Sequence, residues 1–153
     1  MAQEVSVEEI TSASDEVVEA LVRLVPQLSR SSGPPTFDEV AEMASSTATV
    51  LFAARDSHGR IVGSLTLAVF RIPTGFRAWI EDVVVDSQLR GKGVGSLLVH
   101  AAVQRAEEMG ARTVDLTSRP SRVEANRLYV SLGFEPRETN VYRRTLDVPT
   151  EAS

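Results

Sequence analysis

A loop that could bind phosphate lies at the centre of this 153-residue chain. Three glycines stand at alternate positions directly before a helical pattern: Gly91, Gly93 and Gly95. Because glycine has no Cβ, backbone N–H groups in such a loop can approach a ligand closely. The free N–H groups and the positive dipole end of a helix N-terminus favour an anion. Arg90 and Lys92 add two cations, so the stretch 79–96 predicts a binding site for phosphate or diphosphate.

Three interpretations of this glycine loop can be compared: a Walker A loop, a dinucleotide-binding loop and a turn without a ligand. A Walker A loop needs Gly-Lys-Ser/Thr, which is absent here. A dinucleotide fingerprint is nearer, since Ser96 takes the third glycine position of a Gly91-x-Gly93 pattern and Asp115 follows about 20 residues later. Against it, the five positions 86–90 separate the strand from the first glycine, whereas the dinucleotide turn follows its strand directly. The third interpretation is a tight strand-to-helix turn that binds no ligand.

The elements that position this loop follow from apolar periodicity and turn residues. Strands are expected at 3–8, 48–55, 60–71, 78–85 and 112–117, with two final strands at Phe134 and 141–146. Helices are expected at 14–28, 36–44, 94–109 and 121–132. The strands at 48–85 form an antiparallel meander, and the helix after the glycines makes one parallel crossover. The fold class is therefore α/β (α+β), with a mixed, mostly antiparallel central sheet of about six to seven strands and helices on both faces.

Capping residues set the predicted helix boundaries. Ser12 or Ser14 is a candidate N-cap for the first helix, and Thr36 with Glu39 forms a capping box. Ser121 and Glu124 repeat that pattern before the last helix. The first two helices either cover the sheet or also form the wall of a substrate cleft, and both interpretations stay open.

Composition excludes several classes of protein. The chain has no cysteine, which excludes disulfides, thiolate metal sites and a cysteine acyl-enzyme and is compatible with a reducing cytoplasm. Two histidines far apart in sequence make a metal site unexpected. The net charge of −5 argues against nucleic-acid binding, and no apolar run reaches the roughly 20 residues of a membrane span. We expect one cytoplasmic domain, residues 1–153, whose last seven or so residues are frayed.

Two motifs resemble one protein family. The stretch 83–95, VVVDSQLRGKGVG, resembles the acyl-coenzyme A site of the GNAT-type N-acetyltransferases, whose core is Arg/Gln-x-x-Gly-x-Gly/Ala. Asn-Arg-Leu-Tyr at 126–129 with Leu-Gly-Phe at 132–134 resembles that family's later helix. The resemblance implies a GNAT-like fold whose sheet splays between the strands 78–85 and 112–117, with acetyl-coenzyme A (acetyl-CoA) as co-substrate and no metal.

The resemblance also implies roles for individual residues. The backbone of Val83 and Val85 would pair with the pantetheine arm, and the backbone of 90–96 would bind the diphosphate. Tyr129 would be the general acid beside the thioester sulfur, and the alternative for Tyr129 is a plain core aromatic. The implied coenzyme site comprises Val83, Val84, Val85, Arg90, Gly91, Lys92, Gly93, Val94, Gly95, Ser96 and Asn126.

Glu81 is the candidate base. By the period of two in a strand it shares a face with Val83, whereas Asp82 faces the other way unless a bulge intervenes. Glu81 would accept the amine proton, attract a cationic amine, or be only a solvated charge. Asp115 and Thr117 are secondary candidates on the acceptor side.

The leading hypothesis is an N-acetyltransferase that transfers acetyl from acetyl-CoA to a primary amine by direct attack in a ternary complex. The alternatives are a non-catalytic acyl-CoA-binding domain of the same fold and a nucleotide-binding domain. The acceptor, a small-molecule or peptide amine, is not specified by any motif. Pairing between the edges of the final strands would give a homodimer.

Overall fold

A computed structural model describes residues 4–147 of the chain, which form a five-stranded sheet with four α-helices. The strands are β1 Ser6–Ile10, β2 Thr49–Arg55, β3 Ile61–Ile72, β4 Gly75–Val85 and β5 Val114–Asp115. The helices are α1 Asp15–Leu28, α2 Phe37–Ser45, α3 Val94–Glu108 and α4 Val123–Ser131, with a short 3₁₀ turn at Ser87–Leu89.

The strands follow one another across the sheet in chain order, β1 to β5. The first four are antiparallel, and β5 is parallel to β4 because α3 carries the chain back across the sheet. This confirms the mixed, mostly antiparallel sheet and the single crossover. Only Ala78–Val114 and Trp79–Asp115 pair between β4 and β5, so the two strands separate beyond these pairs, as the predicted splay requires.

Helices cover both faces of the sheet, as predicted. One core cluster joins α3 residues such as Leu98 to Leu65 and Leu67 of β3. The other joins Leu24 of α1 and Val40 of α2 to the opposite face. All five of these side chains are fully buried. Since alternate residues of a strand face opposite sides, the almost continuous burial of β3 reflects cover on both of its faces.

The predicted count of six to seven strands is wrong for the described residues, because no strand follows α4 up to residue 147. The predicted strand at 141–146 is instead exposed: Val141, Tyr142 and Leu146 have 73%, 88% and 68% of their surface open to solvent. A strand needs a neighbour to accept its backbone hydrogen bonds, and this segment has none within residues 4–147. Apart from Asp147, the predicted frayed tail lies outside the described residues.

Two of the three predicted capping motifs are confirmed. The Ser14 side chain accepts a hydrogen bond from the Val17 N–H, and Thr36 forms the complete capping box with Glu39. The predicted box at Ser121 is wrong: the N-cap is Arg122, and no side chain caps that helix. The Arg122 N–H instead donates to the carbonyl of Arg119, and this turn makes the helix begin one residue later.

Residues 4–147 contain neither a membrane-spanning helix nor a metal-binding cluster. No helix there combines the length and the apolar character that crossing a membrane requires. No group of three or more His, Asp or Glu residues in that range is arranged to hold a metal ion.

Candidate active site

The glycine loop joins β4 to α3, with two of its glycines in the left-handed region. Gly91 has φ = 79° and Gly93, the N-cap of α3, has φ = 84°. A Cβ at either position would meet no atom within 4 Å, so the requirement for glycine is conformational and the space beside the loop is open. No side chain caps the N-terminus of α3. The first N–H groups of α3 are therefore available to an anion, and the exposed Arg90 and Lys92 lie beside them.

Gly95 has a different role from the other two glycines. A Cβ on Gly95 would lie 3.4 Å from Leu128 Cδ2 and 3.9 Å from Val85 Cγ2. Both distances are ordinary van der Waals contacts, so a Cβ would fit here between α3, α4 and β4. Val94 is 1% exposed and lies in the core cluster beneath α3. Its side chain anchors the helix, so any contact with a ligand would come from its backbone, while Ser96 is half-buried.

Contacts from α1 hold the start of the loop. The Ser87 N–H donates to Gln27 Oε1 at 2.9 Å, and Arg23 Nη1 lies 3.8 Å from Asp86 Oδ2. Arg23 also donates to the Ile61 carbonyl. Sequence reasoning missed these contacts because the partners are about 60 positions apart. They tie the start of the glycine loop to α1, the helix that covers the other face of the sheet.

A bulge interrupts β4 in the middle of the site. Thr66 pairs with Glu81 and Ser64 pairs with Val84, so two residues of β4 stand opposite one residue of β3. Asp82 has φ = 50° and is the one described residue other than glycine with positive φ. Non-glycine residues seldom adopt this conformation, and Asp is among those that tolerate it.

The bulge reverses which side of the sheet each later residue of β4 faces. Ile80 lies in the core cluster between the sheet and α3, here called the α3-side core. Val84 lies in the cluster between the sheet and helices α1 and α2, the α1-side core. Val83 packs against the same cluster as Ile80. The prediction that Glu81 and Val83 share a face is therefore wrong, because the extra residue breaks the period of two. The condition stated for Asp82, an intervening bulge, is met.

Beyond Trp79 the outer edge of β4 has no strand partner among residues 4–147. Its backbone N–H and C=O groups are therefore free to pair with an extended ligand. Val83 and Val85 are half-buried along this edge, and the open glycine loop follows it. A free strand edge that leads to uncapped helix N–H groups and two exposed cations fits an extended ligand with an anionic end.

A cleft of ≈ 180 Å³ opens where β4 and β5 separate. Its lining comes from α1, β4, the segment after β5, and α4: Leu28, Ile80, Glu81, Asp82, Val83, Leu116, Thr117, Arg122 and Tyr129. The structure thus places Glu81 and Tyr129, predicted from separate motifs, in one cleft. Because Leu28 ends α1, this helix forms part of the wall, which favours the second interpretation for α1; no residue of α2 lines the cleft.

Tyr129 is the most deeply buried polar side chain that lines this cleft. It is 9% exposed, and its ring meets Phe134 edge-on with the ring centroids 6.0 Å apart. Burial raises the pKa of Tyr129 above its ordinary 10.0, and the positive charge of Arg122 offsets part of that rise. The phenol therefore stays protonated across the ordinary pH range, as a proton donor must.

The raised pKa of Tyr129 predicts a loss of stability at high pH. In the unfolded chain the phenol ionises near pH 10, whereas the folded protein retains its proton to higher pH. The free energy of unfolding should therefore be unaffected by this group below about pH 10 and fall above it. Urea denaturation between about pH 9 and 11 should show a smaller fall for Tyr129→Phe than for Tyr142→Phe. Equal falls in the two variants would contradict burial of the phenol.

Asn126 holds the chain before α4. Its Nδ2 donates to the carbonyl of Arg119 at 2.9 Å, which fixes the turn 119–122 against the helix. Arg122, at the end of that turn, lines the cleft although its side chain is exposed. Contact of Asn126 with a coenzyme stays a prediction, for which its Oδ1 is the available atom.

Several cleft residues were outside the sequence-based site. Leu28 and Leu116 carried only the signal of apolar periodicity, which does not distinguish a cleft wall from a core. Thr117 and Asp115 were secondary candidates on the acceptor side; Thr117 lines the cleft, and Asp115 pairs with Trp79 in the sheet. The position of Asp82 depends on the bulge, for which the sequence has no marker.

The chain matches the acetyltransferase (GNAT) family over residues 17–134 and therefore belongs to that family. An uncharacterized N-acetyltransferase of Methanocaldococcus jannaschii is 36% identical over 61 residues, which are 40% of this chain and 27% of that protein. An aminoglycoside acetyltransferase from an uncultured soil metagenomic sample has a TM-score of 0.81 at 21% identity, covering 94% of this chain and 97% of that chain. An aminoglycoside N-acetyltransferase in complex with CoA has a TM-score of 0.75 at 17% identity, covering 95% and 97%.

The sequence relatives and the solved structures differ in how much of each protein is matched. The matched segments span 27% to 53% of the first curated relatives, all uncharacterized N-acetyltransferases. The two solved structures are similar over nearly the whole chain, and at their low identity the likeness is one of fold. Together they confirm the family and the fold that the two motifs predicted.

Proposed function

We propose that this protein is an acetyl-CoA-dependent N-acetyltransferase that acts on a primary amine by direct attack in a ternary complex. The observation that carries the proposal is the cleft between β4 and β5, which both Tyr129 and Glu81 line, beside a free strand edge that leads to the glycine loop. An aminoglycoside N-acetyltransferase of the same fold was solved with CoA bound, which supports the choice of coenzyme.

The coenzyme is assigned to the edge of β4 and the loop after it. Backbone groups of Val83 and Val85 would pair with the pantetheine amides. N–H groups of residues 90–96 would hold the diphosphate, with Arg90 and Lys92 neutralising its charge. Both left-handed glycines leave the ligand space open, since a Cβ there would meet no protein atom within 4 Å.

The chemistry assigned to the cleft is acyl transfer. The neutral amine attacks the thioester carbonyl, forming a C–N bond and an oxyanion that a backbone N–H near Val83 would stabilise. Collapse of the oxyanion breaks the C–S bond, and Tyr129 gives its proton to the departing sulfur. The proton that the attacking nitrogen loses passes to Glu81 or to water. The ionised Tyr129 then takes up a proton from solvent. Because the chain has no cysteine, a cysteine acyl-enzyme is excluded, and direct transfer is the route that we propose.

Two carboxylates in the cleft favour a cationic acceptor. Glu81 and Asp82 are both exposed and both line it, so a protonated amine would be attracted before it loses its proton. The acceptor class we propose is a primary amine of a small molecule or a peptide. Two statements stay predictions: that residues 1–153 form a single domain, and that the protein acts in the cytoplasm.

The two carboxylates can be separated by matched substitutions. Glu81→Gln should lower kcat/KM for the amine by about 10²-fold or more, the usual effect of losing a general base. Asp82→Asn removes the same charge one residue away and keeps a side chain that tolerates positive φ, so its effect should be much smaller. Steady-state kinetics with the amine varied at saturating acetyl-CoA measures both. Equal effects would show that Glu81 contributes only charge.

A panel of amines incubated with acetyl-CoA tests the function. Release of the CoA thiol should depend on both enzyme and amine, and mass spectrometry should find one acetyl group on the nitrogen. Binding of acetyl-CoA without thiol release across small-molecule, amino-acid and peptide amines would favour the non-catalytic acyl-CoA-binding alternative. Failure to bind acetyl-CoA would overturn both.

A further inference from the structure

The cleft between β4 and β5 contains charges of both signs. Two carboxylates line it from β4, Glu81 and Asp82, and one cation lines it from the start of α4, Arg122. Within residues 4–147, none of the ion pairs includes any of these three side chains. The positive and negative groups therefore do not neutralise one another, and each is available to a ligand.

Backbone hydrogen bonds fix Arg122 at the cleft. Its N–H donates to the carbonyl of Arg119 at 3.0 Å, and the same carbonyl accepts from Asn126 Nδ2 at 2.9 Å. The guanidinium is close enough to Tyr129 for its charge to oppose the rise in the pKa of that phenol. Arg122 thus places a cation beside the proposed proton donor, while the carboxylates lie on β4.

Apolar side chains form a second part of the wall. Leu28 comes from the end of α1, Ile80 from β4 and Leu116 from the segment after β5. Ile80 is buried and the two leucines are half-buried. The cleft volume of ≈ 180 Å³ is below the roughly 300–1,000 Å³ of pockets that take drug-sized ligands. A small acceptor with one apolar group fits these dimensions.

We infer that the acceptor is a free amino acid with an apolar side chain, whose amine lies at Glu81 and whose carboxylate pairs with Arg122. The inference rests on the proposed acetyl transfer, since it names the acceptor of the same cleft. The apolar side chain would lie against Leu28 and Leu116. Transfer would form an amide bond at the amino nitrogen and release CoA as the thiol, and the carboxylate would stay unchanged.

The balance of charges favours an amino acid over an amine without an acidic group. An amine that carries only a positive charge is attracted by the two carboxylates but repelled by Arg122. An amino acid pairs with both signs and brings no net charge into the cleft. Arginine suits this role because its planar guanidinium can donate two parallel hydrogen bonds to one carboxylate.

The coenzyme does not account for Arg122. The coenzyme phosphates are assigned to the glycine loop, where the exposed Arg90 and Lys92 supply cations. In the proposed mechanism the cleft holds the thioester end of the coenzyme, which carries no negative charge before the reaction. Arg122 is therefore left for an anionic group of the acceptor.

Matched acceptors test the inference in a thiol-release assay at saturating acetyl-CoA. L-Leucine should have a kcat/KM at least about 10-fold above that of leucinamide, which lacks the negative charge, and of isoamylamine, which lacks the carboxyl group. Arg122→Gln should lower kcat/KM for leucine by about 10- to 100-fold, mainly through KM. The same variant should leave the other two amines and the KM of acetyl-CoA near their wild-type values.

Arg127→Gln is the matched control. Arg127 lies on the same helix and is exposed, but it does not line the cleft. The substitution removes the same charge, so all of these quantities should stay at their wild-type values. A loss for leucine that is as large in Arg127→Gln as in Arg122→Gln would show a general effect of charge and overturn the inference.

Three further results would also overturn it. Leucinamide or isoamylamine that reacts as well as leucine would show that the carboxylate is not recognised, while the proposed acetyl transfer would stand. An equal loss for all three amines in Arg122→Gln would assign Arg122 to the coenzyme or to the transition state. Thiol release with none of the three amines would exclude this acceptor class, and it would count against the proposed function only if the wider amine panel were silent as well.

Discussion

Tyr129→Phe should lower turnover by about 10²- to 10⁴-fold, the usual range for loss of a general acid. The Tyr129 phenol is buried in the cleft and is the proton donor that we propose. A thiol leaving group has a pKa near that of a free cysteine, about 8.5. Phe keeps the ring that packs on Phe134, so the fold should be retained. The coenzyme phosphates would bind at the glycine loop, on other elements, and acetyl-CoA affinity should therefore change little.

The second tyrosine provides the matched control. The chain has two tyrosines, and Tyr142 is 88% exposed. Tyr142→Phe removes the same hydroxyl far from the buried core and should leave turnover at the wild-type value. Single-turnover kinetics and calorimetry with acetyl-CoA measure the two quantities separately. If Tyr129→Phe turns over like Tyr142→Phe, Tyr129 has no role as acid.

Gly93→Asp should abolish binding of acetyl-CoA. The substitution places a carboxylate in the proposed anion site at the N-terminus of α3 and puts an L-residue at φ = 84°. At about 100 times its dissociation constant, the coenzyme should stabilise the wild type by about 2.7 kcal/mol. In Gly93→Asp this stabilisation should vanish, as a thermal melt with and without acetyl-CoA will show.

Gly59→Asp controls for backbone strain. Gly59 lies in the turn between β2 and β3 with φ = +80°, and a Cβ there also meets nothing within 4 Å. Both variants should lose about 1–2 kcal/mol of stability, the cost of a left-handed L-residue. Only Gly59→Asp should keep the full shift with acetyl-CoA. A comparable shift in Gly93→Asp would contradict the assignment of the phosphate site.

Much of the fold was predictable because its signals are local. The capping box at Thr36 and the N-cap at Ser14 depend on residues within one helical turn, and the structure has both. The glycine loop at 91–95 is also local, since its chemistry follows from missing Cβ atoms beside a helix start. These features need no knowledge of distant contacts.

The features that sequence reasoning missed depend on pairing between strands. The bulge at Asp82 appears only when β3 is placed beside β4, and it moved Glu81 to the opposite face from Val83. Periodicity alone assumed a regular strand. The segment 141–146 has the composition of a strand, yet composition does not say whether a partner edge is within reach.

The clustering of site residues lies between these cases. Glu81 and Tyr129 are 48 positions apart, and their common cleft follows from the separation of β4 and β5. The family resemblance implied this arrangement, and the residues alone did not. The position of Leu28 in the cleft could not be predicted, because the sequence pattern of a leucine at a helix end is the same whether the side chain lies in a core or in a cleft wall.

The most direct test of the proposed site is a crystal structure with acetyl-CoA bound. We expect the pantetheine arm beside Val83 and Val85, and the diphosphate within about 2.7–3.2 Å of backbone nitrogens of residues 90–96. The thioester sulfur should lie within hydrogen-bonding reach of the Tyr129 hydroxyl. A coenzyme bound on another face of the protein, or one whose sulfur lies away from the cleft of Glu81 and Tyr129, would contradict the proposed mechanism.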